Sequence, residues 1–116
     1  MIILHCVSEK VWQTVADKTY YETPSLTSEG FIHCSEPEHF HKVADYVFKD
    51  VKEQLLLLCL DTTLLEPEIR WEDGGSGTLY PHLYGALNTN AIIKIFPFLR
   101  DENGAFMLNP ELEVKS

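Results

Sequence analysis

The sequence predicts one α+β domain. Three observations carry that prediction. The 116 residues are 45% hydrophobic, enough for a single core at the commonest domain size. Two helical stripes come early, and most β-rich runs come later. The strands and helices do not alternate in the βαβ rhythm of a parallel sheet. The domain spans residues 1–116, with a core at about 2–97 and a C-terminal extension over 98–116.

Met1 to Val7 (MIILHCV) reads as a strand, with His5 set among apolar neighbours. Ser8 suits a helix N-cap, and Glu9 in the first turn suits the helix dipole. Val11, Trp12, Val15 and Ala16 form an apolar stripe on a short helix that should stop near Lys18. Thr19 to Gly30 is irregular. Tyr20-Tyr21 is a candidate short strand, and Pro24 disfavours a helical Thr23. Ser25 to Glu29 can hold one turn of helix that ends at Gly30.

Phe31 to Ser35 is the second strand. Side chains alternate along a strand, so Phe31, His33 and Ser35 share one face while Ile32 and Cys34 share the other. Ser35-Glu36-Pro37-Glu38 reads as a capping box, with Ser35 as N-cap. Phe40, Val43, Ala44, Val47 and Phe48 continue it as the clearest amphipathic helix, ending near Lys49-Asp50.

Leu55 to Leu60 (LLLLCL) lacks polar alternation and reads as a central strand covered on both faces. Asp61-Thr62-Thr63 turns the chain. In Glu68 to Glu72 (EIRWE), Ile69 and Trp71 face one way and Glu68, Arg70 and Glu72 the other. Asp73 to Gly77 reads as a flexible loop, a flap beside the site. Tyr80 to Gly85 (YPHLYG) is extended or turn-like around Pro81. Ala91 to Phe96 is a further strand, Asp101 to Gly104 a hairpin-like turn, and Phe106 to Leu108 a returning edge strand. The tail after Pro110 reads as polar and loose.

The charge is lopsided, with 18 Asp and Glu against 9 Lys and Arg, a formal net charge of −9. Such a surface repels polyphosphates and argues against non-specific nucleic-acid binding. It leaves room for a small anionic ligand in a local pocket. Cys6, Cys34 and Cys59 are odd in number, lie in apolar segments and form no Cys-x-x-Cys pair. They read as free thiols in a reducing compartment. The opening residues lack the basic start and long apolar run of a signal peptide, so no leader is expected, and the longest apolar run is too short to span a bilayer. A cytoplasmic protein without a membrane partner is expected.

The polar groups embedded in apolar strands are His5, His33, Ser35, Glu72, His82 and Tyr84. Burying such groups costs free energy unless they find partners. Each could serve the core alone or a ligand. A serine triad does not assemble, because Ser35 lacks a nucleophile-elbow context. Three imidazoles, His5, His33 and His82, are chemically competent to hold zinc. Their spacing matches no close-ligand motif, and His39 and His41 do not face each other on a helix. No metal is therefore expected. The glycine loop matches neither a Walker A nor a dinucleotide fingerprint.

His5, Trp12, Tyr20, Ser25-Leu26, Gly30-Phe31-Ile32-His33-Cys34-Ser35, Arg70-Trp71-Glu72 and Pro81-His82-Leu83-Tyr84-Gly85 together resemble a small bacterial family, domain of unknown function 952. The resemblance spans roughly residues 2–97. It implies an ADP-ribosyltransferase-like fold, a split antiparallel β-core with two main flanking helices, whose cleft takes NAD. By that resemblance His5 helps hold the nicotinamide ribose and His33 or Ser35 meets the NAD. Glu72 then stabilises the oxocarbenium-like ribose or orients the nucleophile. Glu72 and His33 are then the catalytic candidates, with His5, Ser35, His82, Tyr84 and Tyr20 at the ligand. NAD would be a substrate, with no other cofactor assigned. Three functions stay open: an NAD-dependent ADP-ribosyltransferase or NAD glycohydrolase, a non-catalytic module for a small metabolite or anion, and a three-histidine metal enzyme. The ligand is a small molecule, a nucleotide on the first reading. The oligomeric state stays open.

Overall fold

The computed structural model describes residues 1–73 and 77–107. Strand β1 (Ile2–Ser8) leads into helix α1 (Glu9–Val15). As expected, Ser8 caps that helix, its hydroxyl accepting from the Val11 amide at 3.2 Å. The helix stops at Val15, before Lys18. Only Trp12 and Val15 of its stripe pack on the core, while Val11 is exposed. Strand β2 (Tyr20–Tyr21) and helix α2 (Pro24–Ser28) follow, then β3 (Ile32–His33) and α3 (Phe40–Val47). The second half is β-rich: β4 (Leu55–Asp61), β5 (Glu68–Asp73), β6 (Leu79–Tyr84), β7 (Leu87–Asn88), β8 (Ile92–Pro97), β9 (Leu99–Arg100) and β10 (Phe106–Met107).

The strand pairs are antiparallel. They form a β1–β4–β8 sheet, a β3–β6–β5 sheet and two small pairs, β2–β7 and β9–β10. The LLLLCL run becomes the middle strand β4, as its unbroken hydrophobicity predicts. Its period of two feeds two cores. Leu58 and Leu60 join Ile3, Val7, Ile32 and Leu83 in the first. Leu55, Leu57 and Cys59 join Leu4, Phe40, Ala44 and Phe96 in the second. Phe98 is buried there and Phe106 packs against it, so the packed body runs past residue 97 into the extension. Residues 74–76 of the glycine loop, Leu108 and the tail lie outside the described residues.

The two larger sheets are joined at Ser35, and here the structure corrects the capping-box reading. Ser35 and Leu4 exchange both backbone bonds, at 2.7 and 2.9 Å. That ladder fixes Ser35, which is buried, as strand-like backbone. The chain then opens a 3-10 turn at Pro37–His39 whose preceding residue, Glu36, makes no side-chain cap bond. Pro37 has no N–H to satisfy, so it tolerates that uncapped start. The helix after the turn ends at Val47, before Lys49.

Tyr80 to Tyr84 is strand, the centre of the β3–β6–β5 sheet. Pro81 fits because its carbonyl accepts from the Cys34 amide at 3.1 Å, while its missing N–H falls on the short β3 side, where only two residue pairs are registered. Among the described residues no helix is long and apolar enough to cross a membrane.

Candidate functional site

The β3–β6–β5 sheet sets the site by register. Ile32 and Ile69 both lie opposite Leu83, and these three pack into the first core. One rung along, His33 and Arg70 both lie opposite His82. Alternation turns this rung to the other face. Glu68 opposite Tyr84, and Glu72 opposite Tyr80, fall on that same face. The EIRWE alternation therefore holds as expected.

Glu72 is the hub. Its Oε1 accepts from His82 Nδ1 at 2.9 Å and from the Tyr84 hydroxyl at 2.5 Å. These bonds, Tyr84's first, hold the Glu72 carboxyl below the usual carboxylate range. The same bond raises the Tyr84 phenol. Phe31 stacks on the His82 ring at 4.2 Å and 17°, and His82 is only 8% exposed. Phe31 also meets His33 edge-on at 4.8 Å and Tyr84 at 5.4 Å. His33 lies on the solvent side, 5.3 Å from His82 between ring centroids, with Nε2 2.8 Å from Glu29 Oε2. The Arg70 guanidinium sits 4.3 Å over the Tyr84 ring and donates from Nε and Nη2 to Glu68 Oε2. The site is an open sheet face with His82 as its buried floor.

His33, His82, Glu72 and Tyr84 are thus brought together. The other three candidates stand apart from their side chains. His5 packs with the first core against Tyr21, at 5.9 Å between rings. It reaches the site only through the backbone, Nδ1 donating to the His33 carbonyl at 2.7 Å. Its Nε2 is buried without a partner, and burial lowers its pKa, which keeps the ring neutral. Ser35 is committed to the Leu4 ladder through its backbone. Tyr20, on β2, donates its hydroxyl to Glu66 at 2.9 Å. The three imidazoles do not converge on one point.

Three residues of the face were missed as candidates: Glu29, Phe31 and Arg70. Phe31 shares the strand parity of His33, and Arg70 that of Glu72, so the signal was alternation. Glu29 had a weaker one, the turn at Gly30. Among the described residues, the one grouping of His and acidic atoms close enough for a metal is Glu36, Glu38 and His39, within 4.8 Å. It sits on the turn before α3.

The fold is shared with solved structures. The crystal structure of protein CC0527 from Caulobacter crescentus matches with a TM-score of 0.84 and 25% identity, covering 97% of this chain and 98% of that one. A double mutant of that protein matches with a TM-score of 0.83 at 24% identity, with the same coverage. The solution NMR structure of CC0527 gives 0.76 at 25% identity over 90% of each chain. No functionally curated protein matches the sequence. The family model described as "Protein of unknown function (DUF952)" matches residues 6–95, a span that takes in His33, Glu72, His82 and Tyr84, and the chain belongs to the DUF952 family.

Proposed function

We propose that the polar face of the β3–β6–β5 sheet is a ribosyl-transfer site that uses NAD as substrate, with Glu72 as its carboxylate and His33 as its base. The observation that carries the reading is Glu72 itself. It sits on a strand, held ionised by two donors, among imidazole and aromatic rings. A fixed negative charge is worth most beside a centre that turns positive in the transition state. In this reading the C1′–N bond of NAD breaks and its electron pair passes to the pyridinium ring, so neutral nicotinamide leaves. Positive charge develops on the ribosyl carbon beside Glu72. Water, or an acceptor hydroxyl, bonds to C1′ and gives its proton to His33. Tyr84 and His82 hold the carboxylate in place, and Phe31 offers a flat apolar surface. The resemblance to a split ADP-ribosyltransferase-like β-core supports the choice of substrate. Three free cysteines, their thiol pKa values raised by burial, support a cytoplasmic setting.

The second reading is a binding module without turnover. It is favoured by one observation: Glu72 Oε1 already accepts from both Tyr84 and His82. Nicotinamide release from NAD separates the two. The transferase reading expects slow release by the wild type and none by Glu72→Ala. Calorimetric NAD binding with no release in either protein would favour the module. Neither binding nor release would contradict the transferase reading and leave a module for another small metabolite or an anion.

A further inference from the structure

We infer that Glu29 is a positioning residue, fixing which ring nitrogen of His33 can take a proton; the inference rests on the site reading above. Glu29 closes α2. Its amide and that of Gly30 both turn back to the Ser25 carbonyl, at 2.7 and 3.1 Å. Gly30 then reverses the chain at φ +89°, a conformation that costs glycine little. The reversal lays the Glu29 carboxylate 2.8 Å from His33 Nε2. An ionised carboxylate can only accept, so the hydrogen sits on Nε2 and the neutral ring keeps its lone pair on Nδ1.

His82 is the reverse case. It gives Nδ1–H to Glu72, which leaves the lone pair on Nε2. Two imidazoles 5.3 Å apart are thus held in opposite tautomers by separate carboxylates, with Phe31 against both rings. Their exposure divides the labour. His82 is buried, whereas 54% of the His33 side chain is open to an incoming hydroxyl. The proton released at C1′ goes to His33 Nδ1, and Glu29 stabilises the imidazolium that forms. Pairs this exposed contribute little to folding, so Glu29 is not there for stability. Besides Glu29, the charged and titratable groups on the His33 face are His82, Glu72, Tyr84, Tyr80, Arg70 and Glu68, with His5 at its carbonyl.

Ring ¹⁵N spectra of the full chain test this without turnover. The expected result is an Nε2–H tautomer for His33 and an Nδ1–H tautomer for His82. Glu29→Gln keeps an acceptor but loses the charge that stabilises the imidazolium, so the Nε2–H tautomer should persist while nicotinamide release slows. Glu29→Ala should release the tautomer as well. In the NAD assay both variants should lower kcat for nicotinamide release with KM unchanged. An Nδ1–H tautomer for His33 in the wild type, or an unchanged tautomer in Glu29→Ala, overturns the inference. Spectra as expected with no nicotinamide release would strike the NAD reading and leave the Glu29–His33 arrangement standing.

Discussion

The β1–β4–β8 and β3–β6–β5 sheets have three strands each and opposite purposes. In the first, the middle strand sends alternate side chains into two apolar cores. In the second, the middle strand sends Leu83 into a core and turns His82 and Tyr84 to a polar face. A sheet covered on one side can present functional groups because its other side is already anchored. The difference teaches where rigidity comes from: Glu72, His82 and Tyr84 stand on a backbone held from behind by Ile32, Ile69 and Leu83.

The contrast can be broken by substitution, and the largest effect belongs to the scaffold. Leu58 is fully buried, opposite His5 and Ile95. Leu58→Ala should cost ~3 kcal/mol, transfer and cavity terms together. Urea unfolding checks this, and a loss under ~1 kcal/mol would mean the first core is loosely packed. On the polar face the expected effects are functional. Glu72→Gln keeps the shape, removes the charge and should abolish nicotinamide release while the fold survives. Retained release would remove Glu72 from its role.

The helix start gives a smaller effect. Ser8→Ala removes the acceptor of the Val11 amide and should cost ~1 kcal/mol. The next effect is a pH slope with two parts. Burial lowers the His5 pKa from 6.5, so the unfolded chain takes the proton first. Stability from this group is full above about pH 6.5 and declines as pH falls below it. Bonds from Tyr84 and His82 lower the Glu72 pKa from 4.5, so that contribution is lost as pH falls through the depressed value. His5→Asn should flatten the upper part of the acid limb, and Glu72→Gln the lower part. Denaturation midpoints across pH check both, and identical profiles for all three proteins would contradict the assignment. The smallest effect is Arg70→Met, which breaks an exposed pair with Glu68 and should leave the unfolding midpoint unmoved.

Periodicity made much of this legible. The run at Leu55–Leu60 announced a doubly covered strand, and Glu68–Glu72 announced a two-faced one. The Asp101–Gly104 turn appeared between β9 and β10. What escaped the local patterns was mostly non-local. Ser35 looked like a cap because its neighbours read Glu-Pro-Glu, but the Leu4 backbone, distant in sequence, claimed it. His5 looked like a site residue because it is polar in an apolar strand. Its parity with Ile3 and Val7 turns it toward the first core, a choice of face that no local pattern reveals. Glu29 left only a weak signal, the turn at Gly30 that brings its carboxylate back to His33, four residues on.

The most direct test of the central claim is an NMR titration of the wild-type protein with NAD. The account predicts saturable amide shifts centred on His33, Glu72, His82 and Tyr84, with Phe40 and Leu57 of the second core unmoved. Silence at millimolar NAD, or shifts centred elsewhere, would contradict it.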